Sequence, residues 1–497
     1  MIHVLVLSST SHDRIRSLCL LVGALLFVGL TACSTNPVTG EQNFVMFGED
    51  TELEIGRTNH PKIIAEYGRY NDEVLQAYVQ SVGEKLAENS HRDDLIYRFT
   101  VLDSPVINAF ALPGGYIYIT RGLMAYLNSE AELAAVLGHE IGHVTARHGV
   151  RQQSAAQAAN LGYTIGAILL PELRGAGSQN LFNIFGGALL SGYGREHELE
   201  SDRLGAEYLA RTGYDPRAMI DVISVLKDQQ TFAAAEAKKQ GQEYQGYHGL
   251  FASHPDNDTR LQQVVGEADK YAGAGNGKVY RETYLQKVAG MTFGDSEKQG
   301  IRSENHFYHL AMRFSVAFPV SWHINNNPSS LQAIAPQGKA FLEMGAADIN
   351  RKLSPREFIE QRLKVDDLRS GQTIKPHGLE GYTGLTVHQN KPLRVGVVYL
   401  RDQAFIFFGT TENSREFTQF DADFLSTINS LHALRDDEIE LARELKIEVV
   451  PVTKDDRYAN WAKTSRISNS PLQQLRLLNG DYPDGELKSG QMAKRVR

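Results

Sequence analysis

The sequence predicts an α+β protein: a mostly helical N-terminal domain with a small edge sheet, then an antiparallel-sheet domain and a small βααβ module. Apolar residues recur at helical spacing in 133–144 and 204–209. Apolar and polar residues alternate in 312–318, and two strand-like runs at 394–400 and 404–409 flank a short turn. At 497 residues, 42% of them apolar and 22% charged, the chain is expected to hold two to four globular domains.

The N-terminus has the proportions of a secretory signal peptide. Arg14 and Arg16 precede a thirteen-residue apolar run, Leu18–Leu30, which is shorter than a membrane-spanning helix. The run leads into Leu-Thr-Ala-Cys, which resembles a bacterial lipobox ending at Cys33. The sequence predicts cleavage before Cys33 and lipid attachment to its thiol, with Ser34 favouring the inner, periplasmic face of the outer membrane. The alternative is an uncleaved signal anchor.

Residues 139–143 form an H-E-x-x-H pattern. Residues four apart share a helix face, so His139 and His143 would present two imidazoles together, with Glu140 beside them. Ser129 and Glu132 form a capping pair that predicts where this helix begins, and apolar residues at 133, 137, 141 and 144 predict that it is buried. The pattern indicates a zinc site with its general base.

A catalytic zinc site usually has three protein ligands, so a third is expected downstream. The acidic stretch 195–202 is predicted to be helical and carries Glu196, His197, Glu198 and Glu200, each of which can bind zinc. Glu196 and Glu200 share a helix face, as do Glu198 and Asp202. Spacing alone therefore leaves the third ligand open.

With both stretches in view, the chain resembles the gluzincin metallopeptidases of the BepA-like, HtpX-like and CAAX-protease type, whose second motif is E-x-x-x-D. The resemblance implies a zincin-type protease domain binding one Zn²⁺ per chain through His139, His143 and Glu198. It also implies catalytic roles for Glu140, as general base, and for Asp202, which would orient a ligating imidazole. After Leu30, no apolar stretch is long enough for a membrane-spanning helix, which favours the BepA-like branch.

The segment 108–120 is similar to the family segment that precedes the zinc helix, and its pattern predicts a turn and a strand. The resemblance implies that Gly115, Tyr116, Ile117 and Tyr118 lie on a strand at the edge of the substrate cleft. An extended substrate segment can add to such an edge through its backbone. The alternative is an ordinary β-hairpin.

His254, followed by Pro255, matches a third landmark of the family. The resemblance implies that His254 can act as an inhibitory metal ligand that displaces the catalytic water; the alternative is a structural role. His148 and His248 match no landmark and are predicted to be surface or helix-packing residues. Arg260 is predicted to pair with a carboxylate near the cleft that the sequence does not identify.

A glycine-rich linker, Ala272–Gly277, separates the helical part from a strand-rich part. The predicted strand at 312–318 ends before Pro319, a hairpin follows at 394–409, and a helix is predicted at 424–431. This arrangement resembles small α+β domains of the Mog1/PsbP type. The resemblance implies a domain that binds or positions partners.

The last stretch, 446–497, is predicted to run strand, helix, helix, strand at 447–452, 456–464, 472–478 and 492–496. It resembles a LysM module, which implies peptidoglycan binding. The alternative is a packing appendage that keeps the fold without the ligand.

The predicted organisation is a lipoprotein signal peptide (1–32), a tether (33–48), a zinc metallopeptidase domain (49–272), a Mog1/PsbP-like domain (279–435) and a LysM-like module (444–497). The formal net charge of −8 argues against nucleic acid as a partner.

The sequence suggests a zinc-dependent endopeptidase acting on misfolded or unassembled envelope proteins, in periplasmic and outer-membrane quality control. The alternatives are an outer-membrane assembly factor or chaperone with latent protease activity, and a peptidoglycan-binding scaffold. We find no helical repeat of about 34 residues, so the partners of BepA are not carried over.

Overall fold

The computed structural model describes residues 33–45, 47–155, 193–239, 257–271, 277–327, 330–349 and 353–497. The predicted signal peptide and His254 lie outside these residues. The helices are α1 (Glu49–Tyr67), α2 (Glu73–Ala87), α3 (Arg121–Tyr126), α4 (Glu130–Thr145), α5 (Arg195–Thr212), α6 (Ala218–Lys239), α7 (Asn257–Tyr271), α8 (Arg281–Val288), α9 (Pro355–Glu357), α10 (Phe417–Ser430), α11 (Tyr458–Thr464) and α12 (Pro471–Asn479). No helix among the described residues is both long and apolar enough to cross a membrane.

Nineteen strands are assigned among the same residues, and together with the helices they confirm the predicted α+β class. They are β1 (Cys33–Thr35), β2 (Gln42–Phe44), β3 (Arg98–Leu102), β4 (Ala109–Leu112), β5 (Tyr116–Thr120), β6 (Thr292–Phe293), β7 (Ile301–Ser303), β8 (His306–His309), β9 (Phe314–Ala317), β10 (His323–Asn326), β11 (Ser330–Ile334), β12 (Ala340–Asp348), β13 (Arg369–Ile374), β14 (Gly381–His388), β15 (Lys391–Leu400), β16 (Gln403–Thr411), β17 (His432–Ala433), β18 (Leu445–Pro451) and β19 (Met492–Val496).

The helical part contains a three-stranded sheet with the order β3-β5-β4, in which β5 is parallel to β3 and antiparallel to β4. All five residues of β5 are buried because both faces are covered. Tyr116 and Tyr118 pack with side chains of α1, whereas Ile117 and Ile119 join the main core.

This strand order corrects the predicted substrate edge. Gly115, Tyr116, Ile117 and Tyr118 belong to the middle of the sheet, since β5 is paired on both sides and the Gly115 carbonyl accepts a hydrogen bond from the Arg98 N–H. The sequence pattern predicted a turn and a strand, with an ordinary β-hairpin as the alternative, and β4 and β5 do form such a hairpin. A local pattern does not say which strand of the hairpin gains a second neighbour. Within the described sheet, the outer strand beside α4, the helix that carries His139 and His143, is β4.

Helix α4 begins where the capping pair predicts. Ser129 is its N-cap, and the Ser129 Oγ accepts a hydrogen bond of 3.1 Å from the Glu132 N–H. Fifteen of the sixteen helix residues are buried, because α4 lies against α2, α5, α6 and β4. The predicted apolar stripe is therefore only part of an enclosed helix.

Glycines let α4 and α5 approach closely. A Cβ atom on Gly142 would lie 3.0 Å from the Ser201 Cα, and one on Gly138 would lie 3.4 Å from the Gly205 Cα. Without side chains at these two α4 positions, the helix backbones come near enough for the His139 and His143 side chains to meet those of α5.

The strand-rich part has its own core. A seven-stranded antiparallel sheet has the order β10-β11-β12-β16-β15-β14-β13, and a four-stranded sheet has the order β17-β9-β8-β7. Phe424 and Ile428 of α10 are fully buried in this core. The predicted hairpin is formed by β15 and β16 around Arg401 and Asp402.

The last elements follow the predicted strand-helix-helix-strand order as β18, α11, α12 and β19. Strand β18 pairs with β19 and also with β6. Apolar side chains of α8, β6 and this C-terminal module belong to one hydrophobic core with those of α2, α4, α5 and α6. The C-terminal module therefore packs against the helical part, although the strand-rich part separates the two in sequence; the proposed domain boundaries stay predictions.

Candidate metal centre

Two histidines of α4 and one glutamate of α5 converge on one point. The ligand atoms of His139, His143 and Glu198 lie within 4.8 Å of one another, and all three residues are buried. The Nε2 atoms of the two histidines are 3.0 Å apart, and each lies 3.5 Å from a Glu198 carboxylate oxygen. Two imidazole nitrogens and one carboxylate oxygen form a donor set that suits catalytic zinc, so these residues fit the ion that the sequence implies.

Asp202 lies one turn after Glu198 on α5 and contacts the far side of His139. Its Oδ1 is 2.8 Å from the His139 Nδ1. An ionised carboxylate only accepts hydrogen bonds, so the Nδ1 carries a proton, and a neutral His139 would then use its Nε2 lone pair to bind a metal ion. The contact agrees with the orienting role that the family resemblance implies for Asp202.

Arg260 of α7 was predicted to pair with a carboxylate that the sequence does not identify. It is buried and forms ion pairs with Asp202, at 2.7 Å, and with Glu198, at 3.1 Å. Burial alone would raise the pKa of Asp202, but Arg260 and His139 outweigh burial and hold that pKa below its ordinary value. Arg260 thus helps to keep the Asp202 carboxyl ionised, and it also pairs with Glu198.

The other candidate ligands of α5 lie elsewhere. Glu196 is exposed. The Glu200 carboxylate is 2.9 Å from the His148 Nε2, and the His197 ring stacks on that of His148 at 4.2 Å. Burial lowers the pKa of His197 to about 4. The geometry thus favours Glu198 as the third ligand.

His148, predicted to be a surface or helix-packing residue, contacts the metal cluster. It is fully buried, and its Nδ1 lies 2.9 Å from the His143 Nδ1. Burial lowers the pKa of His148 more than Glu200 raises it, so this imidazole is neutral near pH 7. The available signal was a third histidine five residues after the H-E-x-x-H pattern.

Glu140 lies beside His139 on α4 and is only 1% exposed. Tyr193 stacks on the His143 ring, with centroids 4.0 Å apart and planes 18° apart. His143 and Tyr193 also line a narrow crevice of about 10 Å³ with Leu112, the last residue of β4, and Pro113. The outer strand of the small sheet therefore ends beside the histidine cluster.

Two predicted sites cannot be placed in this geometry. His254 lies outside the described residues. Cys33 begins β1, which pairs antiparallel with β2, but its side chain is not described. The inhibitory role of His254 and the lipidation of Cys33 stay predictions.

Residues 73–268 match the model of Peptidase family M48. The putative beta-barrel assembly-enhancing protease of Vibrio cholerae is 33% identical over 42% of this chain and 42% of its own. The beta-barrel assembly-enhancing protease of Escherichia coli K12 is 30% identical over 40% of each chain. The mitochondrial metalloendopeptidase OMA1 of Arabidopsis thaliana is 30% identical over 36% of this chain and 34% of its own.

These alignments span about two fifths or less of the curated relatives' lengths. Among solved structures, the cyanobacterial PsbP of Synechocystis sp. PCC 6803 covers 28% of this chain and 98% of its own, with 13% identity and a TM-score of 0.22.

Proposed function

We propose that this chain, whose residues 73–268 match Peptidase family M48, is a zinc-dependent endopeptidase of the gluzincin type. The observation that carries the proposal is the convergence of His139, His143 and Glu198 beside the buried Glu140. A purely structural zinc site has four protein ligands and needs no general base, whereas the described residues offer three ligands and an adjacent carboxylate.

The residues of the centre would have three roles: metal binding, acid–base catalysis and orientation of a ligand. His139, His143 and Glu198 would hold the ion, which supplies Lewis-acid polarisation of the scissile carbonyl and of a water molecule. Glu140 takes the proton of the attacking water as general base and then passes it to the leaving amine nitrogen as general acid. Asp202 keeps the His139 Nε2 lone pair directed at the ion, and Arg260 keeps Asp202 ionised.

The substrate is proposed to be an extended segment of a misfolded or unassembled envelope protein. Strand β4 is the outer strand beside α4, so a substrate strand pairing with Ala109–Leu112 would run past the histidine cluster. Such pairing uses backbone groups and tolerates many sequences. The names of the V. cholerae and E. coli relatives support a role in β-barrel assembly. The alternative is an assembly factor or chaperone with latent protease activity.

Two further parts of the proposal rest on sequence motifs. The lipobox-like residues ending at Cys33 support a lipid anchor in the periplasm, at the inner face of the outer membrane. The match of His254 to a family landmark supports a latent state in which this histidine takes the position of the catalytic water.

Metal removal tests the activity. We expect the chain beginning at Ser34, loaded with zinc, to cleave unfolded casein, to lose this activity on treatment with a chelator and to regain it when zinc is restored. A latent enzyme would cleave only as the His254→Ala variant. Gel analysis of casein fragments at matched zinc content measures both outcomes. If neither zinc-loaded protein cleaves casein, the endopeptidase proposal is contradicted for unfolded substrates and the assembly-factor alternative is favoured.

A second proposed activity, peptidoglycan binding, has one structural observation in its favour. A polar cavity of about 300 Å³ in the C-terminal module is lined by residues from the β18–α11 and α12–β19 connections. Its lining includes Asp481, Lys488 and Gln491, with carboxylate, ammonium and amide groups, and the buried Tyr458, whose hydroxyl donates to Asp481. Such groups suit the hydroxyl and N-acetyl groups of a glycan.

We expect the chain beginning at Ser34 to sediment with insoluble peptidoglycan. The Gln491→Trp variant should lose most of this binding, because an indole at this exposed position fills the cavity. Lys463→Trp, at an exposed α11 position outside the lining, is the matched control and should bind as the wild type does. Equal sedimentation of both variants would show that this cavity is not the glycan site.

A further inference from the structure

The second imidazole of the metal centre has a hydrogen-bonded support of its own. Helix α4 ends at Thr145, and the chain turns at Arg147, whose φ of 57° is left-handed. The Arg147 Nε donates a 2.5 Å hydrogen bond to the buried Glu52, which fixes the turn. The chain is helical again from His148, whose ring is thereby brought against His143.

The contacts form an ordered series. The His143 Nδ1 lies 2.9 Å from the His148 Nδ1, and the His148 Nε2 lies 2.9 Å from a Glu200 oxygen. Glu200 also accepts a hydrogen bond from Arg151, at 3.3 Å, so its carboxylate has a cationic partner. The Ser201 hydroxyl lies 3.3 Å from the His148 Nδ1 and can donate to the same atom.

The donor and acceptor capacity of each group indicates which nitrogen carries the hydrogen. The Glu200 carboxylate only accepts, so the His148 Nε2 carries a hydrogen. With its Nε2 hydrogen bonded to Glu200, the His148 Nδ1 is placed to accept the Nδ1 hydrogen of a neutral His143 across 2.9 Å. The His143 Nε2 is left without a hydrogen, so its lone pair faces His139 and Glu198, as a metal ligand requires.

We propose that His148, held by Glu200, is a positioning residue that fixes the ligand-competent tautomer and ring orientation of His143. The proposal rests on zinc binding at the His139, His143 and Glu198 cluster. It gives the centre two unlike supports: a carboxylate, Asp202, contacts His139 directly, whereas the His148 imidazole stands between His143 and its carboxylate, Glu200.

The test measures zinc affinity, which does not depend on turnover. We expect His148→Leu to raise the zinc dissociation constant by about 10–100-fold, the usual effect of losing a partner of a ligating histidine. His148→Asn can offer its amide oxygen near the position of the lost Nδ1, and we expect it to restore much of the affinity. Competition with a chromophoric chelator gives the constants, and the visible spectrum of the cobalt-substituted protein reports whether the ligand geometry changes.

The matched control is His91→Leu. The His91 Nδ1 makes a 2.7 Å contact with the Tyr208 hydroxyl, outside the metal cluster, so this variant loses a comparable histidine contact. It should bind zinc as the wild type does. If folded His148→Leu also binds zinc as tightly as the wild type, with an unchanged cobalt spectrum, the proposal is overturned.

If His148→Leu does not fold, the zinc affinity of Glu200→Ala tests the proposal instead. The Glu200 side chain is 19% exposed, and its removal leaves the His148 ring in place but frees its tautomer. We expect a severalfold weaker zinc affinity, and wild-type affinity would overturn the proposal. A wild-type protein that binds no zinc would instead remove the proposed function on which this inference rests.

Discussion

Replacing Glu140 by Gln should reduce casein hydrolysis by about 10²–10⁴-fold, the usual contribution of a general acid–base group. An amide has almost the same shape as a carboxylate, but it cannot accept the proton of the attacking water. The three metal ligands are untouched, so the variant should retain one zinc ion per chain. Fragment formation at saturating substrate, together with metal analysis of the same sample, measures both quantities.

Glu196→Gln is the control for this substitution. Glu196 is exposed and lies on α5 outside the metal cluster, so its loss removes the same charge without touching the centre. We expect wild-type turnover from it. If Glu140→Gln cleaved casein within tenfold of the wild-type rate, Glu140 would not be the base, and another group would have to accept the proton.

A cellular assay separates the two leading functions. An endopeptidase loses its function in cells with Glu140→Gln, whereas an assembly factor that mainly binds extended segments keeps part of it. The buried position of Glu140 beside a three-ligand cluster favours the first outcome.

The parts of the centre that the sequence could predict are those set by helical spacing. His139 and His143 are one turn apart on α4, as are Glu198 and Asp202 on α5, and a helix brings such pairs to one face wherever it lies. The start of α4 was predictable for the same reason, because the Ser129 cap is a contact between residues three apart.

Other features depend on how distant elements pack. The packing of α5 against α4 decides which glutamate of α5 faces the two histidines. The sequence alone left Glu196, Glu198 and Glu200 open for this position. His148 reaches His143 through a left-handed turn at Arg147, a rare conformation for a residue with a side chain. The order of the small sheet, which gives the outer edge to β4, depends on β3 pairing with β5.

The C-terminal module also has a role that its local pattern did not reveal. Lys494 of β19 is fully buried, and its Nζ donates hydrogen bonds of 2.6 Å to the carbonyls of Ala125 and Leu127. Those carbonyls lie just before the Ser129 cap of α4. Burial lowers the pKa of the Lys494 ammonium well below its usual range, while the nearby Glu132 acts in the opposite direction.

Lys494→Met should therefore destabilise the helical part as well as the C-terminal module. Methionine fills a similar volume, but it leaves the carbonyls of Ala125 and Leu127 without their buried donor. Leaving one buried hydrogen-bond acceptor unsatisfied costs about 1–3 kcal/mol, so the loss at two carbonyls is a large share of the roughly 5–15 kcal/mol that stabilises a typical domain. Urea unfolding of the zinc-loaded chain beginning at Ser34, followed by circular dichroism, measures the loss.

Lys463→Met provides the comparison, because Lys463 is exposed at the end of α11 and its loss should change the unfolding midpoint little. If the contact of Lys494 supports the zinc helix, Lys494→Met will also release zinc to a chelator faster than Lys463→Met does, since α4 carries two of the three ligands. Unchanged unfolding and unchanged zinc release in Lys494→Met would mean that the C-terminal module only rests on the protease part. It could then be removed without loss of peptidase activity, which the shared hydrophobic core argues against.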